Sequence, residues 1–172
     1  MRKILLVNTL YREYGGENAN ISEDLKFLNK SYEVDYLEFD NKKINISAIL
    51  SFLTASNLIS NKMFKKRLLI TNPDYVYFQN LWFKANTGVI DIAGKLNYRI
   101  VLKIHNFRFD CGYYFFANKH IGKNEICAKC GFENKKFKIL NKYFSESYTK
   151  SFFIVLHNKQ LIKKIKKYNV KV

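Results

Sequence analysis

The chain reads as an α/β protein built on a doubly wound parallel sheet in a three-layer sandwich. Short continuous apolar runs such as Ile4-Leu5-Leu6-Val7 are how strands buried on both faces of a parallel sheet read. Segments with apolar residues at helical spacing separate those runs, strand then helix five times over. Polar and small residues gather directly after the runs, and ligands in such sheets bind outside the carboxyl ends of the strands.

In chain order, Ile4 to Val7 form the first strand and the loop Asn8 to Gly16 follows. Ile21, Leu25 and Leu28 recur at helical spacing with Glu23, Asp24 and Lys26 between them, which predicts a helix over roughly 18–30. Val34, Tyr36 and Leu37 to Phe39 give the second strand, and Ile49, Phe52, Leu53 and Ile59 the second helix. Pro73, the only proline, closes a Lys-rich stretch over 62–72 and precedes the third strand, Tyr75-Val76-Tyr77-Phe78. A helix carrying Val89, Ile90, Ala93 and Leu96 leads to the fourth strand, Ile100 to Ile104. An irregular, Cys-containing insertion then spans 105–132. Beyond it Phe137, Leu140, Phe144 and Tyr148 mark a helix, and Phe152 to Leu156 a fifth strand, with His157 at its end capping or packing. Leu161, Ile162, Ile165 and Tyr168 form one face of a last helix, whose opposite face carries Lys163, Lys164, Lys166 and Lys167. Right-handed crossovers leave few topologies. With the strand order 3-2-1-4-5, the ligand crevice falls outside the carboxyl ends of strands 1 and 4. Residues 1–172 are thus expected to form a single Rossmann-like domain.

At 172 residues the chain is long enough to remove roughly 70% of its unfolded surface from water without disulfide staples. With 48% apolar residues and one proline it lacks the marks of disorder. No apolar run reaches the ~18 residues of a membrane span, and the apolar amino end is too short for a secretory signal, so a cytoplasmic location is expected. Three cysteines, an odd number, fit reduced thiols or a metal site better than a disulfide framework.

The net charge is +16, from 30 Lys and Arg against 14 Asp and Glu. Such a surplus ordinarily invites a nucleic-acid reading. Here 25 of the 30 basic residues are Lys, and Lys, Asn, Ile, Phe and Tyr, all with A/T-rich codons, supply 88 of 172 residues. Base composition therefore accounts for much of the Lys. Residues 119–172 carry 14 basic and 3 acidic residues, so the last third is the basic part. Either it is a solvated Lys face, or it meets phosphate or an anionic membrane leaflet, where each well-placed Lys is worth about 1 kcal/mol.

Three groups of residues are candidates for chemistry. Tyr14-Gly15-Gly16-Glu17 precedes a helix amino terminus, where paired glycines admit a ligand closely and backbone N–H groups favour an anion; a simple turn reads the same way. It is neither the G-x-G-x-x-G fingerprint nor a Walker loop. His105, at the carboxyl end of the fourth strand, is placed to hydrogen-bond or exchange a proton near neutral pH. Asn106 follows it, and Arg108 could hold a phosphate or carboxylate with its planar fork. Cys111, Cys127 and Cys130, with His120 between them and His105 upstream, could supply a structural zinc knuckle; three reduced thiols in an irregular loop are the alternative.

The order Leu5-Leu6-Val7-Asn8, Tyr14-Gly15-Gly16-Glu17, Asn72-Pro73-Asp74, Gln79-Asn80 and His105-Asn106-Phe107-Arg108, with Cys111 and Cys127-Ala-Lys-Cys130, resembles the amino-terminal domain of family 4 glycosyltransferases of the GT-B fold. The resemblance spans nearly the whole chain. It implies an acceptor-binding, Rossmann-like domain of a retaining enzyme that transfers a hexosyl group from a nucleotide sugar without a required metal. It makes His105 the active-site histidine, Gly15 and Gly16 the glycine loop near donor diphosphate and acceptor, and Asn80 the asparagine after strand 3; Glu17, Asn106 and Arg108 join them as candidate substrate contacts. The chain departs from the family pattern at Gln79, where a second histidine is frequent, and at Ala85-Asn86, where a Ser-Pro pair opens the next helix.

The family's second domain binds the nucleotide sugar, and this chain stops at Val172, about where the interdomain linker would begin. The resemblance therefore implies half an enzyme, incomplete without a donor-binding domain or subunit. Its expected partners are a glycan or lipid-linked acceptor and an anionic inner-leaflet surface. A basic zinc-knuckle module binding nucleic acid, or an inactive gene remnant, are the competing readings.

Overall fold

The computed structural model describes residues 1–10, 16–41, 51, 54, 56–82, 84–104 and 147–172. The chain divides into two compact units, Met1–His105 with Ile162–Val172, and Asn106–Leu161. In the first unit four strands, β1 (Arg2–Leu10), β2 (Tyr32–Asp40), β3 (Tyr75–Phe78) and β4 (Arg99–Leu102), form one all-parallel sheet in the order β2-β1-β3-β4. Among the described residues there are four helices: α1 (Gly16–Leu28), α2 (Leu58–Thr71), α3 (Gly88–Lys95) and α4 (Tyr148–Lys167). The arrangement is mixed α/β and compatible with a Rossmann-like fold.

β1 takes an inner place because it carries the longest run of buried residues. Ile4 to Val7 are at most 5% exposed, and both edges are paired, Ile4 with Val34 of β2 and with Tyr75 of β3. β2 alternates acidic with aromatic and aliphatic residues, with Glu33, Asp35 and Glu38 along it, and such a strand suits an edge, where one side meets water. The winding therefore reverses between β1 and β3. This corrects the expected order 3-2-1-4-5: the third strand lies beside β1 and not beyond β2. Val76 and Phe78, both fully buried, need the central place that the polar β2 does not.

Successive residues of a strand point to opposite faces. Phe78 packs on Phe64 of α2 with ring centroids 5.7 Å apart, while the next residue, Gln79, donates to Asp24 of α1 at 2.6 Å. Thus α1 and α2 cover opposite faces of the sheet.

α2 runs through the Lys-rich stretch over 62–72, to which the sequence pattern assigns no element. Asn57 caps its start, its Oδ1 accepting from the N–H groups of Ile59 at 3.2 Å and Ser60 at 3.3 Å. Asn72, at φ 43°, ends it in the left-handed conformation and donates its backbone N–H to Leu68 O, and Pro73 prevents continuation. Ser60, Phe64 and Leu68, four residues apart, are the buried side. Arg67 and Thr71 both donate to the Asp35 carboxylate, fastening α2 to β2. Burial alone would raise the Asp35 pKa, but the hydrogen bonds from Arg67 and Thr71 and the guanidinium charge outweigh it and hold the carboxyl below its usual value.

The expected fifth strand is absent: Phe152 to Leu156 lie inside α4. Five apolar residues in a row do not distinguish a strand from a buried helix turn, and the buried residues Ser151, Ile154, His157 and Leu161 follow helical spacing. His157 is accordingly a buried helix residue. The edge of β4 is met instead by the chain end, where Lys171 forms a parallel bridge with Val101; Lys171 N–H donates to Ile100 O at 3.0 Å and Leu102 N–H to Lys171 O at 2.7 Å. Ile49, Phe52, Leu53, the insertion over 105–132 and the expected helix through Phe137, Leu140 and Phe144 lie outside the described residues.

Two contacts seat this returning segment on α3. Lys164 is 7% exposed, its Nζ 2.6 Å from Asp91 Oδ2 and 3.1 Å from Thr87 Oγ1, so one of the four lysines expected on the solvated face is buried. Gly94 presses its Cα on the Tyr168 ring, where a Cβ would overlap ring atoms. Gly94→Ala should therefore cost about 1–3 kcal/mol, read as a lower urea midpoint. In a Tyr168→Ala background, where the ring is gone, the same change should be close to neutral.

Burial lowers the Lys164 pKa, an effect that the Asp91 hydrogen bond and charge only partly offset. Between that lowered value and the unfolded value of 10.5 the unfolded state binds more protons, so stability contributed by this group rises with pH across the window. Lys164→Met strands the Asp91 carboxylate and should cost about 2–3 kcal/mol near neutral pH. Unfolding titrations of both proteins should show their stability difference widening as pH approaches 10.5.

Candidate functional site

Where the winding of a parallel sheet reverses, neighbouring loops diverge and leave a crevice outside the strand ends. Here that place is the carboxyl end of β1 and β3. The expected crevice beside strands 1 and 4 moves one strand inward with the corrected order.

β1 continues past its apolar run, so Asn8 and Thr9 are buried at 2% and 1% exposure, paired in register with Glu38 and Phe39 of β2. Gln79, 4% exposed, extends β3 by one more rung, its N–H donating to Val7 O at 3.0 Å. Lys103 does the same for β4, its N–H donating to Phe78 O at 2.8 Å. The two side chains then meet on one acceptor: Gln79 Nε2 lies 2.6 Å and Lys103 Nζ 2.5 Å from Asp24 Oδ2. Asp24 thus ties α1 to the ends of two strands. Tyr77, one rung earlier on the same face, has its pKa raised by burial and then by the Asp24 charge. Tyr36 is raised by burial, by its 2.7 Å hydrogen bond to Glu38 and by the Glu38 charge. Both phenols remain protonated at neutral pH, and so remain hydroxyl donors.

Asn80, expected to contact substrate, spends its amide on the protein. Its Nδ2 donates to Thr9 O at 2.7 Å and its Oδ1 accepts from Trp82 N–H at 2.9 Å, which locks the end of β1 to the turn after β3. One N–H and one lone pair of that amide remain. Two buried oxygens, Thr9 Oγ1 and Gln79 Oε1, have no hydrogen-bond partner. Groups in that state are normally completed by water or a ligand, since burying one unpaired costs about 1–3 kcal/mol.

Gly16 opens α1, so the backbone N–H groups of Gly16 and Glu17 belong to the first, unsatisfied turn of that helix. Gly15, His105, Asn106, Arg108, Cys111, Cys127 and Cys130 lie outside the described residues. Among the described residues no cluster of His, Cys, Asp or Glu could hold a metal ion.

The described part of the edge therefore offers hydroxyls, amides and one carboxylate–ammonium pair, a set that hydrogen-bonds polar, hydroxyl-rich groups. Asp24 and Lys103 were not evident as site residues from sequence. The available signal was Asp24 itself, three residues after Ile21 and four before Leu28, a carboxylate in the apolar stripe of its helix. Compared with known proteins, the chain matches no family model and no curated protein.

Removing the shared acceptor should loosen this edge. Asp24→Ala leaves the Gln79 amide and the Lys103 ammonium without their partner and should cost about 1–3 kcal/mol, less to the extent that water reaches Lys103. Asp24→Asn, which keeps an oxygen, should recover part of the loss; urea unfolding of the three proteins checks the order.

Proposed function

We propose that the chain is the acceptor-binding half of a retaining GT-B glycosyltransferase, a Rossmann-like domain that presents a glycan or lipid-linked acceptor to a nucleotide sugar held by a donor-binding half. The observation that supports this reading most is the polar carboxyl edge at the reversal of winding. Three of the segments bearing the family-like motifs continue from it: the glycine loop follows β1, Gln79-Asn80 follows β3, and His105 comes shortly after β4. Hydroxyl donors and unpaired acceptors at such an edge suit a sugar acceptor.

In this reading the transfer depends on positioning and charge neutralisation more than on a covalent step. The nucleotide sugar supplies the hexosyl group and the diphosphate leaving group. The N–H groups of Gly15, Gly16 and Glu17 meet anionic oxygen at the start of α1. His105 holds a sugar hydroxyl in register or takes its proton near neutral pH. Arg108 and Asn106 add a planar donor pair and an amide, and Asn80 keeps the loop after β3 in place through Thr9. Any zinc held by Cys111, Cys127 and Cys130 is structural in this scheme. The site works at the cytoplasmic face of the membrane, where lipid-linked acceptors are reached.

The test is transfer of labelled hexose from a panel of nucleotide sugars to glycan and lipid-linked acceptors, with a donor-binding half supplied. His105→Ala should lower the rate by about 100-fold or more while leaving the unfolding midpoint unchanged. Undiminished transfer by that variant would remove the assignment.

A further inference from the structure

At the amino edge of the sheet, the end away from Gln79 and Asn80, positive charge gathers without an opposing carboxylate. Arg2, Tyr75 and Arg99 are the first residues of β1, β3 and β4. Ile4, Tyr75 and Arg99 are register partners and Arg2 precedes Ile4 by two, so Arg2, Tyr75 and Arg99 share one face of the sheet. Tyr75 Oη accepts from Arg2 Nη1 at 3.3 Å and from Arg99 Nη1 at 3.4 Å, which brings the two guanidinium nitrogens within about 7 Å of each other. The Arg99 guanidinium carbon also stands 5.7 Å from the centre of the Tyr75 ring. The acids nearest in sequence and register are engaged by Lys3: Glu33 pairs with its Nζ at 3.3 Å, and Asp74 Oδ2 accepts its backbone N–H at 2.7 Å. Among the described residues neither arginine has a carboxylate partner, and the Tyr75 hydroxyl accepts twice and donates to none.

We propose that Arg2, Arg99 and the Tyr75 hydroxyl form a binding site for the dianionic phosphate group of a small phosphate monoester. Guanidinium groups are always charged, and they bond oxyanions with short, charge-assisted contacts of about 2.7–2.9 Å. Their bonds to the phenol oxygen are longer than the usual N–H···O range of about 2.7–3.2 Å, so an anion is a better acceptor than the one they have. Two nitrogens within about 7 Å are a span that one tetrahedral oxyanion bridges, with an oxygen for each, and the Tyr75 O–H is left to donate to a third. Charge selects the ligand. Two cations without a counter-charge match a dianion, whereas a phosphodiester or a carboxylate brings a single charge. The backbones of all three residues are held in the strand ladder, and the ring steadies Arg99, which limits the freedom lost on binding. The site lies about 13 Å along β3 from Gln79, and it does not rest on the transferase reading.

Equilibrium dialysis of the full chain against methyl phosphate tests it, at fixed ionic strength and about pH 8, where a monoester is a dianion. Saturable binding is expected, with dimethyl phosphate, a monoanion, bound roughly tenfold or more weakly. Arg2→Gln and Arg99→Gln should each weaken methyl phosphate roughly tenfold or more, and Tyr75→Phe by a smaller factor. A control that removes two exposed charges elsewhere, Lys30→Gln with Lys95→Gln, should stay within about twofold of the natural chain. Methyl phosphate should also raise the urea midpoint of the natural chain, and this rise should vanish when both arginines are replaced. Circular dichroism checks that each variant folds. Equal weakening by the lysine control and the arginine variants would overturn the proposal, as would equal affinity for the diester. A site that survives replacement of both arginines would lie elsewhere in the chain and would overturn it too.

Discussion

β1 is hydrogen-bonded on both edges and covered on both faces, and the rest of the first unit is arranged to allow that. A strand with Ile4 to Val7 essentially removed from water must find backbone partners on each side, because an unpaired amide in that setting costs more than the burial of a neighbouring side chain returns. β2 and β3 supply them along Arg2–Leu10 and Ile4–Val7 respectively. The chain must therefore cross from one side of β1 to the other between β2 and β3, and α2 is part of that crossing. The Asp35 carboxylate, held by Arg67 and Thr71, fixes that helix over β2 before it hands the chain on to β3.

The same constraint produces the polar edge. β1 pairs with β2 three residues further than it pairs with β3, through Leu10 and Asp40. Asn8 and Thr9 are carried into the interior by that longer ladder, although their side chains would be solvated at the end of a shorter strand. Asn80 then returns across the gap to the Thr9 carbonyl, and Gln79 and Lys103 converge on Asp24. Burial of polar groups at this edge follows from strand lengths, and the unpaired oxygens of Thr9 and Gln79 are its unsettled remainder.

Much of this was legible in the sequence and some was not, for physical reasons. Ile4 to Val7, Tyr75 to Phe78 and Ile100 to Leu102 are short apolar runs between turn residues, and all are strands. Phe152 to Leu156 has the same appearance and is helical, because a run of five carries no period and only Ser151, Ile154 and Leu161 around it reveal one. α2 was obscured by its lysines: its inward stripe contains just Ser60, Phe64 and Leu68, while Leu58, Ile59, Leu69 and Ile70 point outward and blur the pattern. The strand order was beyond reach because it depends on which strand tolerates an edge. Of the site, the glycine loop, Asn80 and His105 could be chosen because they follow strand ends. Asp24 could not, since its role depends on two partners 55 and 79 residues away.

Lysine placement shows how a charge total can mislead. Lys164 belongs to the most basic stretch of the chain and is buried against Asp91 and Thr87. There it does what an apolar residue cannot, orienting the end of α4 on α3 so that Tyr168 meets Gly94 and Lys171 reaches Val101. Burial works against its ionised form, and the Asp91 carboxylate keeps the contact favourable only while both partners are present. Lys62 and Lys66 stand in the opposite situation, solvated and set among apolar side chains that are exposed as well. A codon-driven surplus of Lys would leave such residues interchangeable. Their surroundings make them distinct, one locking the returning chain and the others standing among exposed apolar side chains.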